Sequence, residues 1–230
     1  MDNCYIFTSG GFKQLDAVVD NPSQKVFAVN NQLQCYQTTV DHWEYNQSSM
    51  NYCITNNDHQ FKMWFGNDHR LLVIQLRKVI EITGRQYYND YQNNIWNFPT
   101  RFELAANTTE AINVYQLQQM AKNQILSTEL ITSSRQKISQ LLYEWQRSYG
   151  GYYARNYKQL MMLQSVVTAN GYCSHVVRDN GFKVIPYQLT TMTIDRISST
   201  ASNRFEFIPF DKNNKQLHLI YNVENYTFVL

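Results

Sequence analysis

A chain of 230 residues with a formal net charge of +2 is long enough to bury its own core without disulfide or metal staples. Only 17% of its residues are charged, against about a quarter in ordinary domains, and no segment approaches the ~20 consecutive apolar residues of a membrane-spanning helix. A pI near 8.3 without a dense basic face neither demands nor excludes nucleic acid.

Asn, Gln, Ser, Thr and Tyr stand where charge is missing, and such a surface repels its own copies weakly. Tyrosine is abundant, at 17 residues, and it brings contact area with a polar tip. The N-terminus, MDNCYIFTSGGFKQ, lacks a basic start followed by an apolar run. That predicts an intracellular protein with no classical export signal, or a particle component made inside a cell. Cys4, Cys35, Cys53 and Cys173 are scattered and form no C-x-x-C pair, so they read as reduced core thiols.

Residues 1–106 read as a β-rich region. YIF precedes the turn signal Gly10-Gly11, and FKQLDAVV runs to a second turn at Asp20-Asn21-Pro22-Ser23. KVFAV and QLQCYQT flank Asn30-Asn31, which predicts a two-residue hairpin. NYCIT and QFKMWF flank Asn56-Asn57-Asp58 and predict another. HRLLVIQLRKVIEIT, residues 69–83, carries Leu72, Leu76, Val79 and Ile80 at helical spacing between Asp68 and Gly84. It is assigned as a helix against its β-branched content. The following stretch is an aromatic loop with Tyr87, Tyr88, Tyr91 and Trp96 among Asn and Gln, a composition common at binding surfaces.

Residues 107–170 read as a helical middle. Asn107 and Glu110 have capping-box spacing, and good helix formers run on to Gln146. One heptad register places Val114, Leu117, Ala121, Ile131, Ile138, Leu142 and Trp145 on a seam broken by Gln124, Thr128 and Arg135. The expectation is one long or kinked helix over 108–149, with an antiparallel pair as the alternative and Ser133 and Gln136 as a second capping box. Gly150 and Gly151 stop it, and Arg147 suits a helix C-terminus. Another helix is expected over 154–169, ended by Asn170-Gly171.

Residues 171–230 return to β structure. YCSHVVR and FKVIPYQL flank Asp179-Asn180-Gly181, a strong hairpin cue, and RFEFIPF, QLHLIY and YTFVL follow. Strands at both ends and helices between them give an α+β fold, with antiparallel β-rich terminal segments in one composite domain or in separate ones.

The chemistry-bearing motifs are sparse. Cys173 and His175 are two apart on an expected strand, and His218 lies on another, but no second ligand pair completes a zinc set. No G-x-S-x-G elbow, phosphate loop or dinucleotide fingerprint occurs. No catalytic residue, metal or cofactor is therefore assigned, although a noncontiguous active site remains an alternative. The leading expectation is a non-enzymatic interaction or assembly protein, such as a subunit of a larger particle, viral particles included. It would self-associate or bind other proteins through Tyr87, Tyr88, Tyr91, Trp96, Trp145, Tyr152 and Tyr153. The alternative is a nucleic-acid-binding regulator using Arg135, Lys137, Arg147, Arg155 and Lys158.

Overall fold

The computed structural model describes residues 4–46, 50–56, 62–90, 96–104, 112–178, 182–186, 192–198, 206–223 and 226–229. The chain opens with β1 (Cys4–Thr8) and β2 (Gly11–Gln14), a hairpin turned at Ser9-Gly10, then the short α1 (Leu15–Val19). β3 (Val26–Val29) and β4 (Gln34–Thr38) form the second hairpin. The Asn30 N–H donates to the Gln34 carbonyl at 3.0 Å, so the loop beyond that pair holds three residues, Asn31 to Leu33, one more than the sequence implied. Asn30 Oδ1 accepts from the backbone N–H groups of Gln32 and Gln34, each at 2.9 Å. Leu33 then takes φ 59, the left-handed residue that closes a three-residue hairpin.

β5 (His42–Asn46), β6 (Met50–Asn56) and β7 (Lys62–Gly66) follow, and β6 pairs antiparallel with β7 as expected. Their connecting turn lies outside the described residues.

The assignment of 69–83 as a helix is corrected by β8 (Arg70–Gln75) and β9 (Lys78–Thr83), an antiparallel hairpin. Its corner is Leu76-Arg77, with φ 48 and 66. Neither residue advertises a turn, which is why an apolar run bent in half passed for a helical face. Asp68 accordingly caps no helix, and Gly84 begins α2 (Gly84–Asp90) rather than ending one. Gly84 must be glycine, because a Cβ there would run into the Gly66 carbonyl and the Phe65 ring.

After β10 (Glu103–Leu104) the helical middle begins with α3 (Val114–Asn123). Asn113 and Gln116 form its capping box, six residues beyond Asn107 and Glu110, which lie outside the described residues. The expected long or kinked helix is corrected to two helices. Gln124 closes α3 in a left-handed conformation, and a 3-10 turn (Thr128–Thr132) precedes α4 (Arg135–Tyr149). Ser134, not Ser133, caps α4. Polar Gln124, Thr128 and Arg135 on the expected seam mark the break. The pair is no antiparallel hairpin either: Tyr149 Oη donates to the Lys122 carbonyl at 2.6 Å, so the two helices end side by side.

Gly150 ends α4 at φ 67, as the sequence indicates. β11 (Tyr153–Ala154) leads into α5 (Tyr157–Ala169), capped by Asn156 and followed by Gly171 at φ 89. β12 (Ser174–Arg178) and β13 (Phe182–Pro186) pair antiparallel around a turn outside the described residues. β14 (Met192–Ser198), β15 (Glu206–Phe210), β16 (His218–Val223) and β17 (Tyr226–Val229) complete the chain.

Among the described residues the main sheet runs β10-β4-β3-β1-β16-β17-β12-β13-β11, with β2 added beside β1. All its pairings are antiparallel except β10 with β4. β3 and β1 share one edge of β16: Val29 faces His218, and Cys4 faces Val223. β15 likewise pairs with β5, and β14 with β6. Strands from the two ends of the chain therefore interleave, with the helical segment packed against the sheet they make. The fold is α+β.

Both faces of the sheet are covered, so its strands read as nearly continuous apolar runs. Phe7, Phe27 and Ile220 pack with Leu117, Leu141, Trp145 and Leu163 on the helical side. Their strand neighbours Ile6, Val26 and Leu219 pack with Phe65, Leu71 and Tyr87 on the other, the period-2 alternation of a strand.

Candidate interaction surface

The reactive side chains turn inward. Cys173 is fully buried, with Sγ 3.8 Å from the Pro99 carbonyl oxygen, and burial pushes its thiol up to about 12. Burial also raises the Cys35 thiol. A thiol that keeps its proton this tightly is no nucleophile at neutral pH, so the pairing of Cys173 with His175 gains no support. His218 is not with them; its ring meets Glu81. Among the described residues no group of three His, Cys, Asp or Glu side chains is placed to hold a metal ion.

The aromatic residues divide. Tyr87 is only 4% exposed, with its ring against Trp96, Phe98 and Phe65 at centroid distances of 5.2, 5.5 and 6.2 Å. Tyr88 stacks on Tyr52 at 4.9 Å. Trp145 is 0% exposed and donates its indole N–H to the Tyr153 carbonyl at 2.9 Å. Tyr87 and Trp145 are thus corrected from surface anchors to core side chains. Trp96, Tyr88, Tyr152 and Tyr153 are half-buried, and Tyr91 lies outside the described residues. The Tyr153 ring packs over Gly151, where a Cβ would approach it to 2.7 Å.

The cations do not converge. Arg135 and Lys137 occupy the first turn of α4, and Arg147 its last, about 18 Å along the axis at 1.5 Å per residue. Arg155 and Lys158 flank the Asn156 cap of α5. Ser139 Oγ donates to Asn170 Oδ1 at 3.0 Å, so the start of α4 lies beside the end of α5, away from that cap. Arg135 and Lys137 are therefore separated from Arg155 and Lys158.

What sequence reasoning missed is the set of exposed apolar side chains on the helical segment. Eight large apolar side chains are exposed among the described residues, and five belong to this segment: Val114, Tyr115, Ile125, Tyr143 and Tyr157. Tyr115 is 68% exposed and Tyr143 63%. The signal was available. Leu117 and Ala121 on α3, and Ile138, Leu142 and Trp145 on α4, form the buried stripes. Tyr115 and Tyr143 are large rings that fall off those stripes. Lys122, Arg147 and Lys158 are exposed in the same segment.

No family model, curated protein or solved structure matches this chain. No described helix is long and apolar enough to cross a membrane.

Proposed function

We propose that this chain is an interaction or assembly protein that docks, onto its own copies or another protein, through the exposed side of its helical layer. The observation that carries this reading is the concentration of exposed Val114, Tyr115, Ile125, Tyr143 and Tyr157 on α3, α4, α5 and the turn after α3. Rings of this kind are enriched at interfaces, where they combine apolar area with a hydroxyl that can find a partner. The net charge of +2 leaves little repulsion for a second copy to overcome.

Magnitudes limit the strength of such docking. A fully buried large apolar side chain contributes about 1.5–3 kcal/mol. These side chains are already partly covered, so five of them supply roughly 5–8 kcal/mol gross. Association costs at least about 4 kcal/mol in lost freedom of motion. A single contact through this surface is therefore weak, and stable assembly needs several such contacts at once.

Sedimentation of the full chain across the micromolar range, with and without nuclease treatment, tests the reading. Mass that grows with concentration and ignores nuclease supports protein association. A strict monomer at every concentration that also retains no protein from its source removes it. Mass that collapses on nuclease treatment transfers the function to nucleic-acid binding.

A further inference from the structure

The geometry points to a proton-sensitive joint between the β8–β9 hairpin and the main sheet, built on His218 and Glu81. His218 is 3% exposed, and its Nε2 lies 2.8 Å from Glu81 Oε2. The other Glu81 oxygen accepts from Arg70 Nη1 at 3.1 Å. Gln216 completes the attachment: its Oε1 accepts from the Arg70 backbone N–H at 3.2 Å, and its Nε2 donates to the Arg70 carbonyl at 3.0 Å.

Glu81 is held as a carboxylate, since hydrogen bonding from His218 keeps its pKa below the usual value. A carboxylate can only accept, so His218 Nε2 must carry the hydrogen. His218 Nδ1 is then a bare acceptor, buried and without a hydrogen-bond partner. A proton added there becomes a buried N–H with no acceptor.

The surroundings of the ring are mixed. Glu81 on β9 favours a positive charge, whereas His69 before β8 and Lys215 before β16 oppose one. Arg70 on β8 is occupied by Glu81, Asp211 by the backbone N–H groups of Asn213 and Lys215, and β3 presents Val29. β1 and β17 pair with β16 only from Ile220 onward. Burial outweighs the attraction to Glu81, and the proton affinity of His218 is lowered.

The sign follows. While the imidazole is neutral, above its ordinary pKa of 6.5, the docked hairpin has its full stability. As pH falls below that value, a lifted hairpin with a solvated imidazole takes up the proton first, and the docked form loses ground until its own lower pKa is reached. Glu81 contributes its own loss only below the ordinary carboxyl value of 4.5. Lifting also uncovers Leu71, Leu72 and Val73, all fully buried, so the lifted form stays a minority at every pH. The proton sets how often the hairpin lifts rather than whether the fold survives.

Amide hydrogen exchange on the full chain at about pH 7.5 and about pH 5.5, corrected for intrinsic rates, reads this directly. The protection of β8–β9 amides should fall severalfold relative to those of α5, and His218→Gln should abolish the relative fall. Equal loss in both elements, or loss that persists in His218→Gln, overturns the joint. If that variant does not fold, NMR titration of the histidine rings in the native chain decides. Hairpin loss whose midpoint matches His218 supports it, and loss that tracks another histidine overturns it.

Discussion

Asn222 Nδ2 donates to Gln164 Oε1 at 2.6 Å, with both side chains closed off from solvent. Gln164 Nε2 reaches Thr227 Oγ1 at 3.2 Å and the Ser174 carbonyl at 3.4 Å. One glutamine on α5 is thereby tied to β16, β17 and β12. Apolar packing alone would let the helix slide on the sheet; a buried amide network fixes its position, because a shifted helix strands polar atoms.

Asn222→Leu should accordingly destabilise the chain by about 2–3 kcal/mol, since a buried hydrogen bond to the Gln164 carbonyl oxygen is lost. Gln164→Leu should cost at least as much, since it also removes the donor to Thr227 Oγ1 and the Ser174 carbonyl. Urea unfolding of both variants checks this. A loss below about 0.5 kcal/mol for Asn222→Leu would show that the network is not holding the helix.

The β8–β9 corner stores strain. Leu76 and Arg77 both lie at positive φ, a region that costs an L-residue about 1–2 kcal/mol, and Leu76 is 90% exposed. Asn-Gly suits such a corner far better. Leu76→Asn with Arg77→Gly should raise the midpoint of thermal unfolding, corresponding to a gain of about 1 kcal/mol or more. A lowered midpoint would mean that the corner is not built as described.

Thiol chemistry offers a third check. Burial raises the pKa of Cys35 and Cys173 well above that of a free thiol. At about pH 8 in the native chain, neither should react with an alkylating reagent on the timescale that labels free cysteine, and both should react once urea unfolds the protein. Rapid native labelling of Cys173, located by peptide mapping, would reopen a nucleophilic role.

The turns that carry their own chemistry were legible in the sequence. Asn30 and Gly150 each name a local conformation few other residues adopt, and the strands on either side of Asp179-Asn180-Gly181 pair as expected. Leu76-Arg77 names none, so the hairpin it closes looked like a helix. The capping motif at Ser133 located the start of α4 in kind but not in place, because the adjacent Ser134 competes with it and only packing chooses. The aromatic residues failed for a different reason. Tyr87 is enclosed by Phe65 and Phe98, and Trp145 by residues from α3, α5 and the sheet. Composition says that rings are present; neighbours distant in sequence decide whether they are buried.

Association through the helical layer is the central claim, and sedimentation equilibrium of Tyr115→Ser/Tyr143→Ser beside the parent chain tests it most directly. The parent should show mass rising with concentration, and the double variant, with an unchanged unfolding midpoint, should remain monomeric. A variant that associates as tightly as the parent would contradict the claim.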